Sequence, residues 1–172
     1  MKAEPVAPKI GKNMMILAWI IAMGLLTWIF GDWEERQINP NRSPLSSSAL
    51  GVTEVTLVRN RQGHYVTSGS INQHPVVFLV DTGATTVAIP GGLQQQLGLV
   101  EGKRQRSITA NGTATAYATV IGQLKIGDIE LFNVRASILP NMPGKHILLG
   151  MSVLREIEFT QKGDKLTLRQ AP

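Results

Sequence analysis

Hydropathy changes character twice along this chain. From Met14 to Phe30 there is no charged residue and Thr27 is the one polar side chain, so no face is left to turn towards water. Its 17 residues reach roughly 26 Å as a helix, enough for a transmembrane span at the short end of the range. Gln37 to Ala49 is the opposite, with Asn39-Pro40-Asn41, Pro44 and Ser46-Ser47-Ser48 and almost no apolar residues, and reads as a flexible tether. From Leu50 onward short apolar runs alternate with turn residues, the pattern of a domain made of many short strands.

The runs predict particular strands. Glu54 to Arg59 alternates, Gly63 to Ile71 and Pro75 to Val80 form a hairpin around Asn72-Gln73, and Thr86 to Ile89 is buried. Pro90-Gly91-Gly92 breaks the chain before a helical turn or two over Leu93 to Leu97, closed by Gly98. Ser107 to Ala110 and Thr113 to Val120 flank Asn111-Gly112, a strong two-residue hairpin signal; Gln123 to Ile126 and Ile129 to Ile138 flank Gly127-Asp128. His146 to Leu149 is an aliphatic strand ended by Gly150 and followed by a short helix over Met151 to Arg155. A last hairpin joins Ile157 to Thr160 with Leu166 to Leu168. Frequent turns with one or two small helices predict an all-β, barrel-like domain, and no internal repeat is visible. The expected organisation is a short basic tail over 1–13, a transmembrane helix over 14–30, a linker over 31–49 and one domain over 50–172.

Charge refines the amino-terminal reading. Lys2, Lys9 and Lys12 precede the apolar run, as they would in a cleavable signal peptide, but Gly31-Asp32-Trp33-Glu34-Glu35-Arg36 supplies no small-residue cleavage site, so a retained anchor is favoured. Trp28 and Trp33 suit the membrane interface. Three lysines before the helix against Arg36 and Arg42 after it place the amino terminus in the cytoplasm and the domain outside. The net charge is +5, yet Lys103-Arg104-Gln105-Arg106 is the one dense basic cluster and lacks interleaved aromatics, so it reads as a solvated face and no nucleic-acid partner is expected. With no cysteine, disulfides, zinc-thiolate sites and a cysteine nucleophile are excluded. His64, His74 and His146 lack metal-ligand spacing, so neither metal nor cofactor is expected. Ser68, Ser70 and Ser152 lack a nucleophile-elbow context.

The candidate chemistry lies at Asp81-Thr82-Gly83-Ala84, between the apolar runs Val76 to Val80 and Thr85 to Ile89. A carboxylate at the mouth of a buried strand must be solvated, paired or used. The glycine permits a turn and a close approach, and the threonine hydroxyl can bond across a packed seam. This acid loop, paired with the later Ile147-Leu148-Leu149-Gly150 strand, resembles the retropepsin-like aspartic proteases, and within them the small membrane-anchored bacterial group, over roughly Gly63 to Leu168.

Peptide hydrolysis by carboxylates needs one ionised group to activate water and one protonated group to polarise the carbonyl and protonate the amine. One aspartate cannot do both. Asp128 and Asp164 sit in hairpin turns, Glu101 in a polar loop, and Glu54, Glu130, Glu156 and Glu158 at surface positions, so a C2 homodimer that sets Asp81 beside its mate is the economical source of a second acid. The resemblance implies the same arrangement, a retropepsin-like acid-protease barrel with one half-site per chain. It implies that Asp81 holds the catalytic water, Thr82 bonds across the dimer seam and Gly83 leaves room for the facing loop. Ala84 stands where the pepsin-type enzymes usually carry a hydroxyl. Ala110, Asn111, Gly112 and Thr113 would form a flap closing over substrate. Ile147, Leu148, Leu149 and Gly150 would buttress the acid loop, with Val153 and Leu154 in the core. The expected activity is that of an aspartic endopeptidase acting on an extended peptide or protein, anchored in a bacterial inner membrane through residues 14–30 with its domain on the periplasmic side. The alternative is a catalytically silent peptide-binding or oligomerisation module of the same fold.

Overall fold

The computed structural model describes residues 7–109 and 112–171. Two compact units divide at Gln37 and Ile38. The first is helix α1, Ala7–Ile38, which runs a turn or more beyond the apolar stretch at each end and takes up part of the segments expected as a basic tail and a linker. Within Gly11–Ile38 its most apolar 18-residue window has a mean hydropathy of 2.1 and is not buried, so by length and composition the helix is long and apolar enough to cross a membrane. Thr27, the polar exception, donates its hydroxyl to the carbonyls of Met23 and Gly24 at 3.0 and 2.9 Å, which satisfies it without water.

The second unit is β-rich. Strands β1 (Leu45–Ala49) and β2 (Val52–Val58) form a hairpin, followed by β3 (Val66–Ile71), β4 (His74–Val80) and β5 (Val87–Pro90). A 3-10 turn over Gly91–Leu93 leads into irregular turns closed by Gly98 at φ +63°. Then come β6 (Arg104–Thr109), β7 (Gly112–Ile126), β8 (Ile129–Leu139), β9 (His146–Leu149), helix α2 (Met151–Leu154), β10 (Glu158–Lys162) and β11 (Lys165–Gln170). One sheet has the order β3-β4-β9-β5-β8-β7-β6, and Ser70 and Ile71 pair again with Lys125 and Leu124, so that six strands close into a barrel and β6 stands outside it. The order β1-β2-β11-β10 makes a second, antiparallel sheet. Val55 and Leu57 of β2 with Leu166 and Leu168 of β11 face inward and join the barrel's core with Ile126, Ile129 and Phe78.

Two expectations change. The tether over 31–49 is not loose: Asn39 and Asn41 are buried, and β1 extends the second sheet. Asn41 donates to the carbonyls of Val58 and Val66 at 2.9 and 2.7 Å and accepts from Val58 N–H at 2.7 Å, welding β2 to β3. Polar composition suggested solvent exposure, but these amides replace ladder bonds that the two strands cannot make with each other. The β1–β2 turn was also unforeseen, since Leu50 and Gly51 both hold positive φ, 52° and 81°, and leucine rarely does so.

The second change concerns β7, one strand where two were expected. Ile121 pairs with Val134 and Gln123 with Phe132, while Gly122 and Asn133 between them make no pair and Asn133 takes φ +55°. Across this kink the inward positions change parity in both strands: Thr119 and Ile121 give way to Leu124 and Ile126, and Val134, Ala136 and Ile138 to Leu131 and Ile129. The kink lets one long hairpin line two walls of the barrel. The Asn72-Gln73 turn has the expected form, both residues at positive φ, and Asn72 also bonds Leu97 O and Gln123 N.

Candidate active site

β9 lies between β4 and β5, parallel to the first and antiparallel to the second. The connection from β4 to β5, residues 81–86, therefore has to cross the carboxyl end of β9. That crossing makes the acid loop. Asp81 N–H bonds Leu149 O at 3.2 Å and Met151 N–H bonds Ala84 O at 2.8 Å, so the loop is stitched to the β9–α2 corner on both sides of Gly150. A Cβ on Gly150 would come within 2.3 Å of Thr86 O and 2.7 Å of Ala84 O, so only glycine permits this approach.

Within the loop, Ala84 N–H bonds Asp81 O at 3.2 Å and Gly83 N–H donates to Asp81 Oδ1 at 2.9 Å. This short turn aims the carboxylate outward from the barrel end while keeping one oxygen hydrogen-bonded. Asp81 is half-buried, and Thr82 and Gly83 are exposed. A reacting group at this loop can thus meet a carboxylate fixed by the backbone and still open on one side.

The predicted supporting strand divides in two. Ile147 and Leu149 belong to the main core, as do Val153 and Leu154, whereas Leu148 joins Ala88, Ala116, Leu139, Ala114 and Met142 in a small separate cluster. Leu148 therefore packs towards the β6–β7 hairpin instead of beneath the loop. Of the residues expected at the flap, Ala110 and Asn111 lie outside the described residues, and Gly112 and Thr113 are exposed at the start of β7. Thr109 pairs with Gly112, so the hairpin closes one residue earlier than the expected Asn111-Gly112 turn, and Gly112 has φ +105°.

Several polar side chains have structural roles that the sequence did not reveal. Ser152, buried, accepts from Val87 N–H at 3.0 Å and donates to Arg135 O at 2.8 Å, locking α2 to β5 and β8 and leaving its hydroxyl committed. Ser137, also buried, bonds both Thr86 and Gln105. A serine inside an aliphatic strand is a visible anomaly, but its partners come from elsewhere in the chain. A cavity of about 800 Å³ opens beside the loop, lined among others by Thr85, Thr86, Gln105, Ser137, Arg135 and Arg155. Glu101 and Glu156 line it as well, and Asp81 does not. His64, His74 and His146 are exposed.

Comparison with known proteins agrees with this geometry. Residues 67–156 match the family described as "gag-polyprotein putative aspartyl protease". The crystal structure of a retropepsin-like aspartic protease from Rickettsia conorii superposes with a TM-score of 0.60 at 30% identity, covering 74% of this chain and 96% of that one. The chain belongs to this aspartyl protease family and has the retropepsin-like fold. It is also 31% identical over 144 residues to an uncharacterized protein in the cobV 5' region of Sinorhizobium sp, and 31% identical over 111 residues to an uncharacterized protein of Rickettsia prowazekii (strain Madrid E). Those matches take in 81% and 62% of this chain, and 62% and 47% of the relatives' own lengths.

Proposed function

We propose that this protein is a membrane-anchored aspartic endopeptidase whose active site forms between two copies of the chain. The observation that carries the reading is the crossing of β9 by residues 81–86, which leaves the Asp81 carboxylate open on one side and fixed by Gly83 N–H on the other. The chain has a single Asp-Thr-Gly, and a lone carboxylate cannot supply both an acid and a base.

In the dimer two Asp81 side chains share one proton, because like charges so close cannot both ionise. The ionised member takes a proton from water as its oxygen attacks the scissile carbonyl carbon. The protonated member donates to the carbonyl oxygen; as the C–N bond breaks, the member that took the water's proton passes it to the departing amine nitrogen, and a hydroxyl of the diol returns its proton to the other member, so the pair again shares one proton. Thr82, exposed on the loop, bonds across the seam to the facing copy, and Gly83 keeps that approach open. The β6–β7 hairpin, with its end from Ala110 to Thr113, closes over an extended peptide bound by its backbone. Helix α1 holds the enzyme in the bilayer through residues 14–30, and the lysine bias sets the domain on the periplasmic side of a bacterial inner membrane.

The test is cleavage of a peptide library by the full chain in detergent, beside Asp81→Asn. Site-specific cleavage lost in Asp81→Asn supports the proposal. Equal cleavage by both proteins, or none by the unaltered chain while peptides still bind, refutes it; the latter result would mark a silent peptide-binding module.

A further inference from the structure

Strand β6 is an edge strand, paired with β7 alone among the described residues, so side-chain contacts decide how the hairpin stem sits above the acid loop. Opposed residues of an antiparallel pair share a face. Gln105 opposes Ala116, which clusters with Ala88 and Leu139 apart from the main core, so Gln105 lies on the face of that small cluster, the side of the sheet turned away from the barrel interior. Arg104 and Arg106 lie on the opposite face, shared with Tyr117, and there Arg104 bonds Thr115. The Gln105 amide Nε2 donates to Ser137 Oγ at 2.8 Å. Ser137 is 4% exposed and lies in register with Ala88, the second residue of β5. Its hydroxyl lies 2.9 Å from Thr86 Oγ1, where either can donate. Thr86 is the last residue of the acid loop, and its carbonyl is the atom that Gly150 is small enough to clear.

We propose that Gln105 is a positioning residue: through Ser137 and Thr86 it ties the stem of the β6–β7 hairpin to the exit of the acid loop, so that hairpin and carboxylate are held as one unit. The tie rests on the proposed peptidase reading for its consequence in catalysis, but not for its existence. Three elements distant in sequence meet in one hydrogen-bonded chain, and its middle member is buried where an unmade bond is costly. Without the Gln105 amide the stem would hang on its ladder to β7, and the loop exit would lose its link to the part of the molecule that covers a bound peptide.

The experiment has two arms, both on the full chain in detergent micelles. In the Asp81→Asn background, which needs no turnover, hydrogen exchange of the segment Arg104–Thr109 is expected to accelerate on the order of three- to tenfold in Gln105→Ala, the factor for one neutral hydrogen bond. Ser137→Ala should do the same and the double variant no more, because both delete one tie. Gln105→Glu should stay near the parent, since Ser137 can turn its hydroxyl to donate to a carboxylate while Thr86 donates to Ser137. In the active chain, Gln105→Ala should lower kcat/KM by a similar factor, mainly through KM, with Gln105→Glu restoring it. Unchanged exchange in Gln105→Ala, or additive effects of Gln105→Ala and Ser137→Ala, would overturn the tie. Exchange that responds as expected in a chain that cleaves no peptide supports the tie and removes the peptidase reading instead.

Discussion

Gly150→Ala is the sharpest perturbation the crossing offers. Gly150 has φ −89° and ψ −173°, extended backbone that alanine adopts freely, so the substitution tests space and not conformation. The added Cβ would lie 2.3 Å from Thr86 O and 2.7 Å from both Ala84 O and Thr86 C, all of them backbone atoms. Relief demands that the Thr86 carbonyl retreat by about 0.7 Å, from 2.3 Å to the 3.0 Å below which such contacts essentially never occur. The loop cannot retreat without stretching the Met151 N–H to Ala84 O bond of 2.8 Å or the Asp81 N–H to Leu149 O bond of 3.2 Å. Overpacking of this kind costs about 2–3 kcal/mol, or roughly 8–12 °C in Tm for a domain of this size. Displacing a catalytic group by most of an ångström should cut kcat/KM about 30- to 100-fold. Differential scanning fluorimetry and peptide cleavage on the same detergent preparation measure both, with Gly92→Ala as control because a Cβ there meets nothing within 4 Å. A Gly150→Ala protein with the Tm and kcat/KM of the Gly92→Ala control would refute the argument that the acid loop is seated on this glycine.

Other consequences are open to measurement. Asn41→Ala should destabilise the domain by about 2–4 kcal/mol, because it strips hydrogen bonds from Val58 N–H, Val58 O and Val66 O, and urea unfolding of the full chain would show it; a midpoint unchanged from the parent would mean the segment before β1 is only loosely attached. Specific activity should fall as detergent-solubilised enzyme is diluted and recover in small vesicles at equal protein, since the bilayer raises effective concentration, whereas activity strictly proportional to enzyme with a monomeric mass would contradict a shared site. Protease added to intact spheroplasts should digest the domain, and digestion confined to inverted vesicles would reverse the proposed topology.

How far the sequence reached can be seen at particular residues. An apolar helix needs no partner to be recognised, because its whole surface is written locally between Met14 and Phe30. Turns are equally local: Asn72, Gly98 and Gly127 take the positive φ their residue types suggest, and Gln73 is carried into the same region by its place in the two-residue turn. The acid loop and the strand ending at Gly150 were legible as two motifs, and the aliphatic alternation supplied most of the strands. Leu50 hid a turn because the chain imposes there a conformation that leucine does not advertise.

What required the tertiary structure was the choice of neighbours beyond the hairpins. Residues 81–86 do not themselves say that β9 lies beneath them, which the family resemblance alone implied, yet that insertion between β4 and β5 is what stretches the loop, stitches it to Leu149 and Met151 and makes Gly150 indispensable. Asn41 read as a linker residue and became a weld, Ser137 read as a strand residue and became the middle of a three-element chain, and Gly122 with Asn133 joined two apparent strands by turning both inside out together. The sequence by itself determined most of the elements, most of their turns and the acid, since these follow from local conformational preference and hydrophobic period. Only the folded chain decided which polar groups meet, because a hydrogen bond depends on an approach of about 3 Å between atoms that the sequence holds tens of residues apart.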